Sequence, residues 1–132
     1  MSDRRVFLKS IAAALLAVVT LRPVRAWAKK LGIALDKAEA LKTVGGSAIL
    51  EIKGRQVLFV RDSDATVRAL DPTCTHLKCL VFWDAKLKRI RCPCHDSAYD
   101  LDGKVLAGPA PRPLKTFPAE LSGDRVILTL ED

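Results

Sequence analysis

Hydrophobic positions fall into three textures along the chain. Ser10–Leu21 is an uncharged, mostly apolar run with no alternation, closed by Lys9 and Arg22. As a helix it covers about 18 Å, against roughly 30 Å of bilayer hydrocarbon. Residues 29–43, KKLGIALDKAEALKT, set Leu31, Leu35, Ala38 and Leu41 at helical spacing, which predicts a short helix or a tether. From Gly45 onward the runs shorten and become β-rich: SAILEI, QVLFV, TVRAL, LVFW, RIRC, KVLAG and RVILTL. Lys53-Gly54-Arg55, Asp62-Ser63-Asp64 and Ser122-Gly123-Asp124 supply turn chemistry between them. Many short strands at regular spacing predict an all-β, antiparallel sandwich or barrel preceded by an N-terminal helix. The implied division is 1–28 as a signal or anchor, 29–43 as a linker, and 44–132 as the β domain. The chain has no internal repeat, no low-complexity segment, no glycine-rich phosphate loop and no Ser-His-Asp arrangement.

Charge sharpens this division. Seven of the 22 Lys and Arg residues and one of the 15 acids lie in the first 30 positions. Residues 31–132 therefore hold 15 basic and 14 acidic side chains. The net +7 belongs to the N-terminus, and the folded part lacks the basic face that nucleic-acid binding needs. The N-terminus itself combines Arg4-Arg5, an apolar core and a small-x-small end at Ala26-Trp27-Ala28, which is the plan of an export signal. Arg4-Arg5 followed by Val-Phe-Leu-Lys resembles the twin-arginine (Tat) signal, although Asp3 stands where Ser or Thr is more usual. A buried core helix is the structural alternative. Length favours a cleaved signal over an anchor, because Arg22 and Arg25 would have to snorkel and Pro23 would kink a spanning helix.

The four cysteines and two histidines all lie in two stretches, CTHLKC (74–79) and CPCHDS (92–97). Two disulfides are permitted in an oxidising compartment but leave both histidines unexplained. Structural zinc on Cys74, His76, Cys92 and His95 has a suitable donor set. Its Cys-x-His spacing is tight, however, and it strands two cysteines. A two-iron, two-sulfide cluster needs four ligands, a number that two thiolates on one iron and two imidazoles on the other would supply. Cys74-x-His76 and Cys92-x-x-His95 provide one of each per loop, leaving Cys79 and Cys94, also one per loop.

C-T-H-x-x-C followed by C-P-C-H-x-S resembles the signature of Rieske iron–sulfur proteins, in particular the high-potential cytochrome bc branch. The resemblance runs from about Val44 to Leu130 and includes GPAP, Gly108-Pro109-Ala110-Pro111, which is similar to the proline loop over the cluster in that family. It implies a 2Fe–2S cluster on Cys74, His76, Cys92 and His95, with Cys79 and Cys94 joined in a disulfide. It also implies that Ser97 donates to a bridging sulfide and Tyr99 to the Cys74 sulfur; otherwise these are a turn residue and a core aromatic. Neutral imidazoles stabilise the reduced cluster, so Rieske potentials span roughly −150 to +300 mV against about −400 mV for plant-type ferredoxins. Reduction makes a ligand histidine more basic, which couples electron uptake to proton uptake at His76 or His95. Leu77, with His76 and His95, would form the tip that docks on a quinol site. Lys78 and Asp96 depart from the family, which usually has glycine at both positions.

The resemblance points to the Rieske subunit of a quinol–cytochrome c oxidoreductase, with cytochrome b, a c-type cytochrome and quinol as partners. Its place would be the periplasmic side of the bacterial cytoplasmic membrane. Family practice keeps the N-terminal segment as an anchor, and 29–43 would be the tether of a swinging head. The alternative is the periplasmic Rieske small subunit of an arsenite oxidase-like oxidoreductase, fixed against a catalytic subunit. On either reading the chain relays single electrons and catalyses nothing alone.

Overall fold

The computed structural model describes residues 28–131. The export motif at Arg4-Arg5, the apolar run and the expected N-terminal helix lie outside the described residues. Among the described residues no helix is long and apolar enough to cross a membrane.

The strands are β1 (Ala28–Ala34), β2 (Ser47–Ile52), β3 (Arg55–Arg61), β4 (Val67–Leu70), β5 (Phe82–Asp84), β6 (Arg89–Arg91), β7 (Ala98–Tyr99), β8 (Val105–Ala107), β9 (Thr116–Phe117), β10 (Ala119–Ser122) and β11 (Arg125–Glu131). They form three antiparallel sheets ordered β1-β11-β10, β2-β3-β4-β9 and β5-β6-β7-β8. The all-β antiparallel expectation holds.

The β2-β3-β4-β9 sheet is the middle layer. All four of Val57, Leu58, Phe59 and Val60 in β3 are buried, because alternate side chains enter different cores. Val57 and Phe59 join Val126, Leu128 and Leu130 of β11 in the first core. Leu58 and Val60 join Val81, Ile90, Tyr99 and Leu114 in the second, which also contains Cys74 and Cys92. The second core is thus the bed on which the cysteine loops rest.

Residues 29–43 correct the expectation of a helix or tether. β1 pairs with β11 at every position from Ala28↔Glu131 to Ala34↔Arg125. Two short 3-10 turns follow, Leu35–Lys37 and Glu39–Lys42, and Leu41 is completely buried. Leu31, Ile33 and Leu35 pack on the first core. That set has period two, which the same residues support as well as period 3.6. Pairing to β11 selects the strand, and residues 28–43 are therefore part of the folded unit rather than a linker before it.

Candidate metal centre

Two six-residue loops, Cys74–Cys79 and Cys92–Ser97, are built alike. In each, the first cysteine's carbonyl accepts from the amide four residues on: Lys78 N–H at 3.0 Å and Asp96 N–H at 3.1 Å. In each, the cysteine's own amide donates to the carbonyl five residues on, at Cys79 (2.7 Å) and Ser97 (2.8 Å). The fifth residue of each loop closes the turn in the left-handed region, Lys78 at φ 56° and Asp96 at φ 58°. These are the two positions where the resemblance expects glycine, and the backbone does need the conformation that glycine adopts most easily. Two non-glycine residues adopt it instead.

The loops are joined by the disulfide Cys79–Cys94, with an S–S distance of 2.01 Å. Cys74 and Cys92 remain free thiols, both buried. The Cys92 sulfur lies within 4.8 Å of both disulfide sulfurs. The sulfurs of Cys79 and Cys94 bind each other and cannot serve as ligands, so the available soft donors are Cys74 and Cys92. The His76 and His95 rings stand 4.8 Å apart between centroids, nearly perpendicular at 86°. His95 is exposed and His76 half-buried.

Burial pushes the Cys74 thiol up. Hydrogen bonds from Tyr99, from the His76 and Leu77 amides and from Cys92 outweigh it and leave the thiol below the ordinary cysteine range. Cys92 moves the other way, raised chiefly by burial and then by Cys74, against the amides of Cys94 and His95. The pair thus favours one thiolate, at Cys74. Tyr99 is raised by burial and by that same sulfur. Its hydroxyl sits 3.3 Å from Cys74 Sγ while accepting from the Thr75 amide at 3.3 Å. The Thr75 hydroxyl spends its hydrogen on the Arg112 carbonyl, so the Tyr99 hydrogen is available to the Cys74 sulfur or to Thr75 Oγ1, also 3.3 Å away.

Two buried polar atoms near the thiols have no hydrogen-bond partner: His76 Nδ1 and Ser97 Oγ. Native interiors rarely leave such groups unsatisfied. An unpartnered ring nitrogen in the first cysteine loop suits a metal, and a wholly buried hydroxyl suits a sulfide acceptor. The donor set present therefore fits an iron–sulfur cluster. The GPAP segment lies against the same spot. A Cβ on Gly108, which sits at φ 87°, would meet Ser97 Cα at 2.6 Å, so only glycine lets this loop close over Ser97. Thr75 Oγ1 ties the end of the segment down by donating to the Arg112 carbonyl at 2.7 Å. Sequence reading passed over Thr75, whose place between Cys74 and His76 was the available signal.

The family model of the Rieske [2Fe-2S] domain matches residues 33–118. The chain belongs to this family. Its cofactor is a Rieske-type 2Fe–2S cluster and its role is electron transfer. The Rieske chain is 33% identical to the cytochrome b6-f complex iron-sulfur subunit of Chlorobaculum tepidum, over 97% of this chain and 76% of that protein. Among solved structures, the cyanobacterial plasma membrane Rieske protein from Synechocystis PCC 6803 superposes with a TM-score of 0.60 at 28% identity. That match covers 74% of this chain and 97% of the other. A chain of a hyperthermophilic respiratory Complex III superposes with a TM-score of 0.56 at 30% identity, covering 82% of each chain.

Proposed function

We propose that this Rieske protein is the electron-transfer subunit of a quinol–cytochrome c oxidoreductase of the cytochrome bc type, with Cys74, His76, Cys92 and His95 as cluster ligands. The observation that carries the ligand assignment is one free buried thiol in each loop, with the orphaned His76 Nδ1 in the first loop and the His76 and His95 rings 4.8 Å apart. When bound, the cluster accepts and returns one electron. The protein's own groups do the rest. Tyr99 and Ser97 present hydroxyls to sulfur and so favour the reduced state. The disulfide and the proline loop screen the thiols from water. The outer nitrogen of His76, Nε2, or that of His95, holds the proton released as quinol is oxidised, and Leu77, 56% exposed, forms the apolar contact of the tip. The partners on this reading are cytochrome b, a c-type cytochrome and quinol. The site of action is the periplasmic face of the bacterial cytoplasmic membrane, reached by Tat export and held by the N-terminal segment. The relatives' membership of cytochrome b6-f complexes supports it.

One observation favours the second reading, a soluble small subunit like that of arsenite oxidase. Residues 29–43 are built into the fold, so they do not serve as the tether of a swinging head. Redox titration followed by EPR, combined with reduction by a membrane quinol analogue, separates the two. The bc-type reading expects rapid one-electron reduction by the quinol and a midpoint potential that falls with rising pH above the histidine pKa of the oxidised form. A cluster that is present by EPR, inert to quinol and flat in potential through alkaline pH would remove the bc-type reading and leave the Rieske assignment standing.

A further inference from the structure

We propose that the tip of the cysteine loops is an electropositive docking face, made by Lys78 and Arg112, for an electron acceptor that presents carboxylates. This rests on the electron-transfer reading and adds the chemistry of the partner's surface. Lys78 is exposed two residues after His76. Arg112 is exposed too, and its backbone is fixed to the first loop through the Thr75 hydroxyl. Among the described residues neither cation has a carboxylate within 4.0 Å. The one carboxylate within the two loops, Asp96, is treated differently. Arg91 reaches it at 3.7 Å while also binding Asp84 at 3.3 Å, so its charge is only partly offset by a neighbouring strand. The tip therefore shows two unanswered positive charges beside exposed Leu77 and His95.

An apolar centre with a polar rim is the usual anatomy of a protein interface. Since residues 31–132 are almost neutral in sum, no broad charge on the folded part masks the local field. At physiological salt the Debye length is about 8 Å, so cations at the tip act on an acceptor that approaches the tip and little elsewhere.

The test is stopped-flow oxidation of the reduced, cluster-loaded full chain by two small oxidants of opposite charge, ferricyanide and tris(phenanthroline)cobalt(III). One electron leaves the protein and one is gained by the oxidant, with no bond made or broken. As salt rises, the ferricyanide rate should fall by roughly tenfold, the low end of electrostatic steering, and the cobalt rate should rise. Lys78→Gln and Arg112→Gln should each flatten the ferricyanide slope, and the double variant should flatten it more than either, leaving only the share due to the basic N-terminal residues. Lys53→Gly is the control. It removes the same charge from the same left-handed conformation (φ 51°) in the turn between β2 and β3, and should leave the slope unchanged. Equal flattening by Lys53→Gly, or no flattening by either tip variant, overturns the proposal. EPR on each sample keeps the two readings apart, since absence of a Rieske signal in the parent protein would remove the electron-transfer reading itself.

Discussion

Tyr99 has no solvent exposure, and its hydroxyl lies 3.3 Å from the Cys74 sulfur. A hydroxyl donating to a cluster thiolate withdraws electron density and makes reduction easier. Tyr99→Phe removes the donor while preserving shape, so we expect a lower midpoint potential with the EPR line shape of an intact cluster. Ser97→Ala should move the potential in the same direction, because Ser97 Oγ is buried with no protein partner to fall back on. An EPR-monitored redox titration decides this, and an unchanged or raised potential in both variants would refute the donor role. The type and position of these residues were readable from the motif. The left-handed backbone at Lys78 and Asp96 was not, because a lysine or aspartate in sequence says nothing about its own φ. Only the closing hydrogen bonds from Lys78 N–H to Cys74 O and from Asp96 N–H to Cys92 O reveal the requirement.

Among the elements, the strands with turn residues at both ends were legible and the edges were not. SAILEI, QVLFV and RVILTL coincide with β2, β3 and β11 within a residue at each end, since Gly and Asp punctuate them and β-branched residues fill them. β7 and β9 have two residues each and leave no periodic trace. β1 was misread because its apolar positions fit two periods at once. The segment from β1 to the second 3-10 turn is now expected to behave as core. Leu41→Ala should cost about 2–5 kcal/mol of stability, the range for deleting a buried leucine side chain. Urea denaturation followed by circular dichroism measures this, and a loss near zero would restore the tether reading.

At the scale of the whole molecule, the two cores share the middle sheet, but the thiols lie in only one of them. The Cys79–Cys94 disulfide closes a loop of 15 residues in sequence separation, worth about 3 kcal/mol on a chain-entropy account. On the proposed ligand assignment, its more specific task is to hold the two ligand loops together. Cys79→Ser combined with Cys94→Ser should keep the far-ultraviolet circular dichroism of the β domain while the cluster's EPR signal and iron content fall. A double variant that unfolds outright would show that the second core depends on the bridge, and one that retains full iron would show that the loops hold their spacing without it.

By itself the sequence determined the candidate donors, the all-β class and the two-loop plan. Donor chemistry depends on residue type, and loop spacing is a local property of the chain. The tertiary structure alone decided that residues 28–34 are a strand, since only β11 supplies the hydrogen bonds that separate a period of two from one of 3.6. It also bore out the pairing that the resemblance implied, Cys79 with Cys94 while Cys74 and Cys92 stay free, which the residues alone left open because pairing depends on which sulfurs the folded loops bring together in space. Finally, it decided that Arg91 reaches Asp96 while, among the described residues, Lys78 and Arg112 have no carboxylate within 4.0 Å, because charge compensation depends on where the folded chain places each side chain in space.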